Sequence, residues 1–201
     1  MSKTARIPNL GGACAFVLHR PHPTVQTITR QLSAIGLRVT DCWPELPPAV
    51  LSADFVFFDV DLGFDEQFPW RPGEAPMPLI ALVGSEAPGR IEWALFSHKA
   101  DAHLMKPVGN SGVYSSLLIA RQSFEERKRL AAEIAALEAR VAERQTIVRA
   151  VAALTRDGEH ERGYAQLRSL AMGWQISVEE AARRVVAMAD GKDSDEQSRR
   201  A

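Results

Sequence analysis

Apolar positions fall into two regimes along this chain, and the change comes near residue 110. Before it they form short continuous runs: Cys14-Ala15-Phe16-Val17-Leu18, Leu37-Arg38-Val39, Asp54-Phe55-Val56-Phe57-Phe58, Leu79-Ile80-Ala81-Leu82-Val83 and Ala102-His103-Leu104-Met105. Several are too continuous to be half-exposed, which predicts strands buried on both faces and hence a five-stranded parallel α/β sheet. Between the first two runs, Val25, Ile28, Leu32 and Ile35 recur at helical spacing and end at Gly36, so a helix is predicted over 24–36. A second helix is predicted over 89–98. The other two crossovers carry Pro44, Pro47 and Pro48, then Pro69, Pro72, Gly73, Pro76 and Pro78, and predict shortened or missing helices.

After Gly112 the pattern changes. Val113 to Thr155 contains no proline or glycine, and predicts one helix of about 40 residues, roughly 60 Å long. Leu130, Ile134, Leu137 and Val141 follow 4-3-4 spacing with Arg127, Arg129, Glu133, Glu138 and Arg140 around them, the apolar seam of a dimeric coiled coil. Continuing that register places Arg144 and then Val148 on the seam. The alternative is that this stripe packs on its own domain. Two shorter helices follow, one over 161–172 and one opened by the capping box Ser177-Val178-Glu179-Glu180 and ending before Gly191. With the end of the long helix they make a three-helix unit. The predicted organisation is an α/β domain over 1–111, a dimerisation helix over 112–143, a helical unit over 144–190 and a flexible tail over 191–201.

Composition narrows this picture. With 201 residues, 46% hydrophobic and 24% charged, the chain is neither disordered nor a disulfide scaffold. Cys14 and Cys42 read as reduced residues in strands. The opening Met-Ser-Lys-Thr-Ala-Arg lacks the apolar core of a signal peptide, so a cytoplasmic protein is expected. No apolar run reaches the roughly 18 residues of a membrane span. A net charge of −1 excludes a broadly basic nucleic-acid coat.

Asp59 ends the third apolar run and Lys106-Pro107 the fifth; in a parallel sheet both lie at the carboxyl edge, where ligands bind. The run ending in Asp59 and the Met105-Lys106-Pro107 turn resemble the phosphoacceptor and lysine motifs of response-regulator receiver domains. That resemblance implies a receiver-like, flavodoxin-type fold. It also implies an acidic pair for Mg²⁺ after the first strand and a hydroxyl after the fourth, where this chain has His19-Arg20 and Val83. Asp59 is therefore either a phosphoacceptor or half of an ion pair with Lys106, and the missing acids favour the pair. Asp61 is a possible replacement carboxylate in the following loop. His103, at the usual aromatic switch position, reads as a partly buried structural histidine. His19 and His22, without a cysteine or carboxylate at ligand spacing, make no zinc site. No nucleophile triad, phosphate loop or HExxH is present, so neither an enzyme nor a cofactor is expected.

The helical unit carries the more distinctive pattern. Leu137-x3-Val141-x2-Arg144-x2-Ile147-x2-Ala150-x3-Leu154, Tyr164-x2-Leu167-Arg168-x2-Ala171-Met172 and Val178-x3-Ala182 together resemble the ANTAR family of RNA-binding transcription antiterminators. Gln31-Leu32-x2-Ile35-Gly36-x2-Val39-x2-Cys42-Trp43-Pro44 resembles amidase-operon regulators of the AmiR type, which join a pseudo-receiver, a coiled coil and an ANTAR unit. The chain departs from the family at Val151, where lysine is usual, at Thr155 for methionine, at Gly163 for alanine and in a shortened turn around Gly158.

The resemblance implies a homodimer that binds leader-RNA hairpins and lets polymerase pass a terminator. RNA contacts are then expected from Arg144, Arg149, Arg156, Tyr164 and Arg168, since unpaired bases stack on aromatic and guanidinium planes. Tyr164 is equally a core aromatic beside Leu167 and Ala171, and Trp174 either stacks on a base or closes the bundle. The Arg183-Arg184 pair reads as a solvated helix face. Seven arginines against five acids over 144–184 leave a small basic surplus, so a dimer gains from engaging two hairpins. The resemblance also implies a small-molecule-sensing partner protein, with Trp43-Pro44 and Phe68-Pro69-Trp70 as candidate contacts. No DNA-reading helix pair with a strongly basic second helix is present. Two alternatives remain: a phosphorylation-dependent regulator using Asp59, and a dimeric scaffold without RNA binding.

Overall fold

The structure is a computed structural model and describes residues 10–109, 111–155 and 160–198, with side chains to Asp190. Contacts divide it into two compact units, Met1–Arg129 and Leu130–Ala201.

In the first unit five strands, β1 (Cys14–Leu18), β2 (Arg38–Cys42), β3 (Phe55–Asp59), β4 (Leu79–Val83) and β5 (Ala102–Met105), form a parallel sheet in the order β2-β1-β3-β4-β5. This is the doubly wound order in which the direction of progression reverses between β1 and β3. Every residue of β3 and β4 is buried, because each face of the sheet is covered. One face packs Val17, Phe55, Phe57, Ile80 and Leu82 against α1 (Pro23–Ala34) and the first turns of α3 (Val113–Leu154) through Ile28, Leu32, Val113 and Leu117. The other packs Phe16, Phe58, Leu79 and Ala81 against Leu46, Val50, Phe68, Met77 and Ala94.

The proline-rich crossovers are short 3-10 turns, Pro48–Ser52 and Asp65–Gln67, since proline in a helix interior removes a donor and clashes with the preceding turn. The predicted helix over 89–98 is α2 (Pro88–Glu92), widening into a π turn over Trp93–Ser97. That widening turns Trp93 and His98 toward one acid: Trp93 Nε1 donates to Asp65 Oδ1 at 2.7 Å, and His98 Nε2 lies 3.0 Å from the same oxygen. His22 caps α1, its Nδ1 accepting the Thr24 N–H at 3.2 Å. Both cysteines are free and lie at strand ends. Burial pushes the Cys42 thiol up to about 11, with the Asp41 charge adding to it.

The first four or so turns of α3 belong to the sheet unit; the rest of its 42 residues belong to the second. There α4 (His160–Trp174) and α5 (Val178–Ser198) pack with the end of α3 around Ala150, Val151, Leu167, Ala171, Ala181, Ala182 and Val185. Alanine predominates, so the helices approach closely. The Ser177 hydroxyl accepts the Glu180 N–H at 3.1 Å, while the Glu180 carboxylate bonds Arg183 at 2.9 Å. One boundary needs correcting: α5 does not end before Gly191 but runs to Ser198. Glycine costs a helix interior only about 1 kcal/mol, and no proline follows it. Among the described residues no helix is long and apolar enough to cross a membrane.

Candidate functional site

The carboxyl edge of the sheet at the β1/β3 reversal holds a closed polar cluster. Asp59, 2% exposed at the end of β3, accepts from Lys106 Nζ at 2.6 Å. Lys106 follows β5 through a cis peptide to Pro107 and also bonds Asp61 Oδ2 at 2.6 Å. Asp61 is not adrift in its loop: its own N–H bonds Asp59 Oδ1 at 3.1 Å. Its carboxylate takes the N–H groups of Gly84 at 2.9 Å and Ser85 at 2.8 Å, just after β4. Partial burial pushes this carboxyl up. The Lys106 ammonium, with the Ser85 and Gly84 amides, outweighs that and holds it below the usual carboxylate range.

His19 closes the cluster from the end of β1. Its Nδ1 is 2.7 Å from the Arg20 carbonyl and so carries the proton, which turns Nε2 toward Lys106 Nζ at 3.4 Å and Asp59 Oδ2 at 3.5 Å. Gly84 is required here. A Cβ at that position would stand 2.5 Å from Asp61 Oδ2 and 3.0 Å from Lys106 Cε. The sequence pointed to Asp59 and Lys106; His19 and Gly84 escaped it, because a histidine after β1 and a glycine after β4 carry no spacing signal of their own.

These residues do not fit the Mg²⁺ of a receiver domain. That ion needs several hard oxygen ligands, whereas Lys106 already spans both carboxylates, and His19-Arg20 follow β1 where the resemblance implies an acidic pair. Among the described residues no group of three or more His, Cys, Asp or Glu is placed to hold a metal. Val83, in place of the hydroxyl residue, is buried. Acetyl phosphate with Mg²⁺ is therefore expected to leave the intact mass unchanged; an Asp59-dependent gain of one phosphoryl group reverses this reading.

His103 is exposed, not partly buried. It points with Met105 from the edge strand into a groove beside α2 lined by Ala81, Ile91 and Leu95, because the short α2 leaves that side of β5 uncovered. Of the aromatics proposed for partner contact, Trp43 is 38% exposed, while Phe68 is buried and Trp70 half-buried in the second core. The prolines around them shape a crossover that folds back on the sheet.

In the second unit the seam residues Leu130, Ile134, Leu137 and Val141 are each about half exposed, and every residue from Lys128 to Gln145 is solvent-facing. Tyr164 and Arg168 share one face of α4, with Glu161, Ser169 and Met172 lining the same shallow depression. Tyr164 is exposed and not a core aromatic, since Leu167 and Ala171 take the inner face. Arg149 lies elsewhere and bonds Asp190 at 3.2 Å. Arg144 is exposed at a seam position, and Arg156 lies outside the described residues. Trp174 closes the bundle, with the Arg184 guanidinium 5.8 Å from its ring centre.

Three of the positions that depart from the ANTAR resemblance, Val151, Thr155 and Gly163, meet in space. A Cβ on Gly163 would stand 2.8 Å from Thr155 Cγ2 and 2.9 Å from Val151 Cγ1 and the Val151 carbonyl oxygen. Two β-branched residues, Val151 on α3 and Thr155 just past its end, are accommodated by the missing methyl on α4.

The sequence family described as AmiR, N-terminal, matches residues 14–121. Among solved structures, the chain is similar to ShkA Rec1 in complex with c-di-GMP, at 20% identity over 56% of this chain and 92% of that one, with a TM-score of 0.42. It is also similar to the signal receiver domain of an HD domain-containing protein from Pseudomonas fluorescens Pf-5, at 15% identity over 64% and 99%, TM-score 0.46. Full-length FixJ from B. japonicum matches at 20% identity over 89% and 90%, TM-score 0.42. No curated protein matches the chain.

Proposed function

The chain belongs to the AmiR N-terminal family, and from that premise we propose that it is a dimeric transcription antitermination regulator whose helical unit binds leader-RNA hairpins. The observation that carries the RNA reading is the solvent-facing stripe of Tyr164, Arg168 and Met172 on α4. An aromatic and a guanidinium one turn apart suit an unpaired loop base, while the apolar face of the same helix is committed to the bundle core. Arg149 is a further exposed charge of the same helical unit, away from that stripe: its pair with Asp190 is exposed on both sides and worth little. The exposed seam of α3 supports a homodimer, which brings two RNA-binding units to one transcript.

Control by phosphorylation is disfavoured by the His19–Asp59–Lys106–Asp61 cluster, which fills the edge where a phosphoryl group and its metal would sit. Control falls instead to a protein partner that senses a small molecule, and this regulator itself performs no catalysis. Exposed Trp43 is part of the surface such a partner can reach.

The test is binding of hairpin RNAs from the protein's own leader across a salt series, with Arg168→Ala and Tyr164→Ala beside the parent. Base stacking is worth about 1–3 kcal/mol, so each variant is expected to weaken binding roughly tenfold to a hundredfold, and affinity is expected to fall as salt rises. A folded dimer that binds no hairpin at low salt favours the scaffold reading.

A further inference from the structure

Strand β5 is the open edge of the sheet, and only one of its faces is covered by helix. From the other, His103 and Met105 border a groove of about 360 Å³ whose second wall is α2 and the π turn after it. Single π turns are rare in helices and recur at functional sites. This one brings Leu95 to the groove, while its far side is tied down: Arg90 Nη1 donates to the Gly63 carbonyl at 2.6 Å and Trp93 Nε1 to Asp65 at 2.7 Å. The wall is thus held in place before a ligand arrives, which spares the ordering cost of binding.

The polar groups of the groove are unspent. Glu86 stands before α2 and Glu92 is its last residue; neither they nor His103 makes a side-chain hydrogen bond or ion pair among the described residues. No lysine or arginine lines the groove. Arg90 within α2 is engaged with Gly63, and Lys106 after β5 with Asp59 and Asp61. Beside the two acids the walls are apolar, with Ile91 half-buried, Leu95 39% exposed and Met105 45% exposed. Small-molecule sites of this size pair apolar walls with a few polar groups. Among the described residues no three His, Cys, Asp or Glu are placed to hold a metal, so the chemistry that answers these two carboxylates is an organic cation.

We propose that this groove is a binding site for a small organic cation, an ammonium or amidinium on a compact apolar body. The cationic head lies between Glu86 and Glu92, with the His103 imidazole as a further acceptor. The body lies against Ile91, Leu95 and Met105. The same pair of acids turns away phosphates, nucleotides and other anions. The site also has a route to the polar cluster, because Glu86 directly follows Gly84 and Ser85, whose amides hold the Asp61 carboxylate. A ligand drawn to Glu86 acts on the loop that the cluster pins. The sheet unit thereby gains an input that needs no phosphodonor and is separate from the partner protein and the RNA.

The test is methyl NMR of the full chain titrated with 2-phenylethylammonium, and with phenylacetate as an anion of matching size. The cation is expected to shift the Met105 methyl with a dissociation constant of about 1–10 mM, the range for so small a ligand. Met172 and Met188, which are exposed on the second unit, are expected to stay in place and report any non-specific binding. Phenylacetate should leave Met105 unmoved. Glu86→Gln combined with Glu92→Gln should weaken the cation about fivefold or more. Leu95→Lys, which supplies an ammonium from the wall itself, should abolish binding. All three positions are exposed, and circular dichroism checks that each variant keeps its fold. The proposal is overturned if both probes shift Met105 alike, if the double variant binds as the parent does, or if Met105 does not move well beyond that concentration range. None of these results bears on hairpin binding, which stands or falls by its own test.

Discussion

Lys106→Met is expected to destabilise the sheet unit by about 3–5 kcal/mol, the range for removing one partner of a buried ion pair. The methionine keeps the length of the stem, so the loss is electrostatic. Asp59 is 2% exposed and Asp61 26% exposed at the side chain, and Lys106 is the cation that both carboxylates share. Without it two neighbouring carboxylates are left to repel each other, and the remaining neighbour, His19, is 3.5 Å from Asp59. The pH dependence should change sign. In the parent the Asp61 carboxyl titrates below its ordinary value of 3.8, so its contribution is present above that pH and is lost as pH falls through the lowered value. In Lys106→Met the Asp61 carboxyl keeps the burial that raises its titration and loses the ammonium that lowered it. That variant therefore gains stability relative to the parent as pH is lowered from neutrality. Urea unfolding at neutral and mildly acid pH measures both effects. A loss under 1 kcal/mol, or a deficit that grows on acidification, contradicts a shared buried cation.

Gly163→Ala is expected to cost the helical unit about 1–3 kcal/mol, the usual penalty of overpacking, although alanine is the better helix former by about 1 kcal/mol. The added methyl has nowhere to go: Thr155 Cγ2, Val151 Cγ1 and the Val151 carbonyl surround it at 2.8–2.9 Å. Two of those obstacles are side chains, so Val151→Ala with Thr155→Ser should restore most of the loss. That pair of changes made without Gly163→Ala should be mildly destabilising, because it opens space. Thermal unfolding of the four proteins forms the test, and simple additivity contradicts the interlock, since residues in contact should couple.

The sheet was legible because both of its faces are buried, which writes near-continuous apolar runs into the strands. The long helix was legible because nothing in 113–155 breaks it. The proline-laden crossovers correctly announced poor helices, and Asp59 and Lys106 were placed by strand ends alone. What did not show was anything set by loops meeting across the sheet edge. Asp61 lies past its strand, and only the amides of Gly84 and Ser85 fix where its carboxylate goes. His103 misled because its position in β5 says nothing about whether a helix covers that edge, and α2 is too short to do so. The Gly163 interlock was invisible for a similar reason: Val151, Thr155 and Gly163 each read as an isolated departure, and only the crossing of α3 and α4 makes them one packing unit. Gly191 shows the limit of punctuation, since a glycine stops a helix only where the chain then turns left-handed or meets a proline.

In the function proposed above, this protein lets polymerase pass a leader terminator by holding an RNA hairpin. The most direct test is transcription in a purified system from the protein's own leader, scored as the fraction of transcripts extending beyond the terminator. Added protein is expected to raise read-through without any phosphodonor, Arg168→Ala to lose the effect, and Asp59→Asn to retain it. Unchanged termination with a folded dimer present, or read-through that appears only after acetyl phosphate is added, contradicts that function.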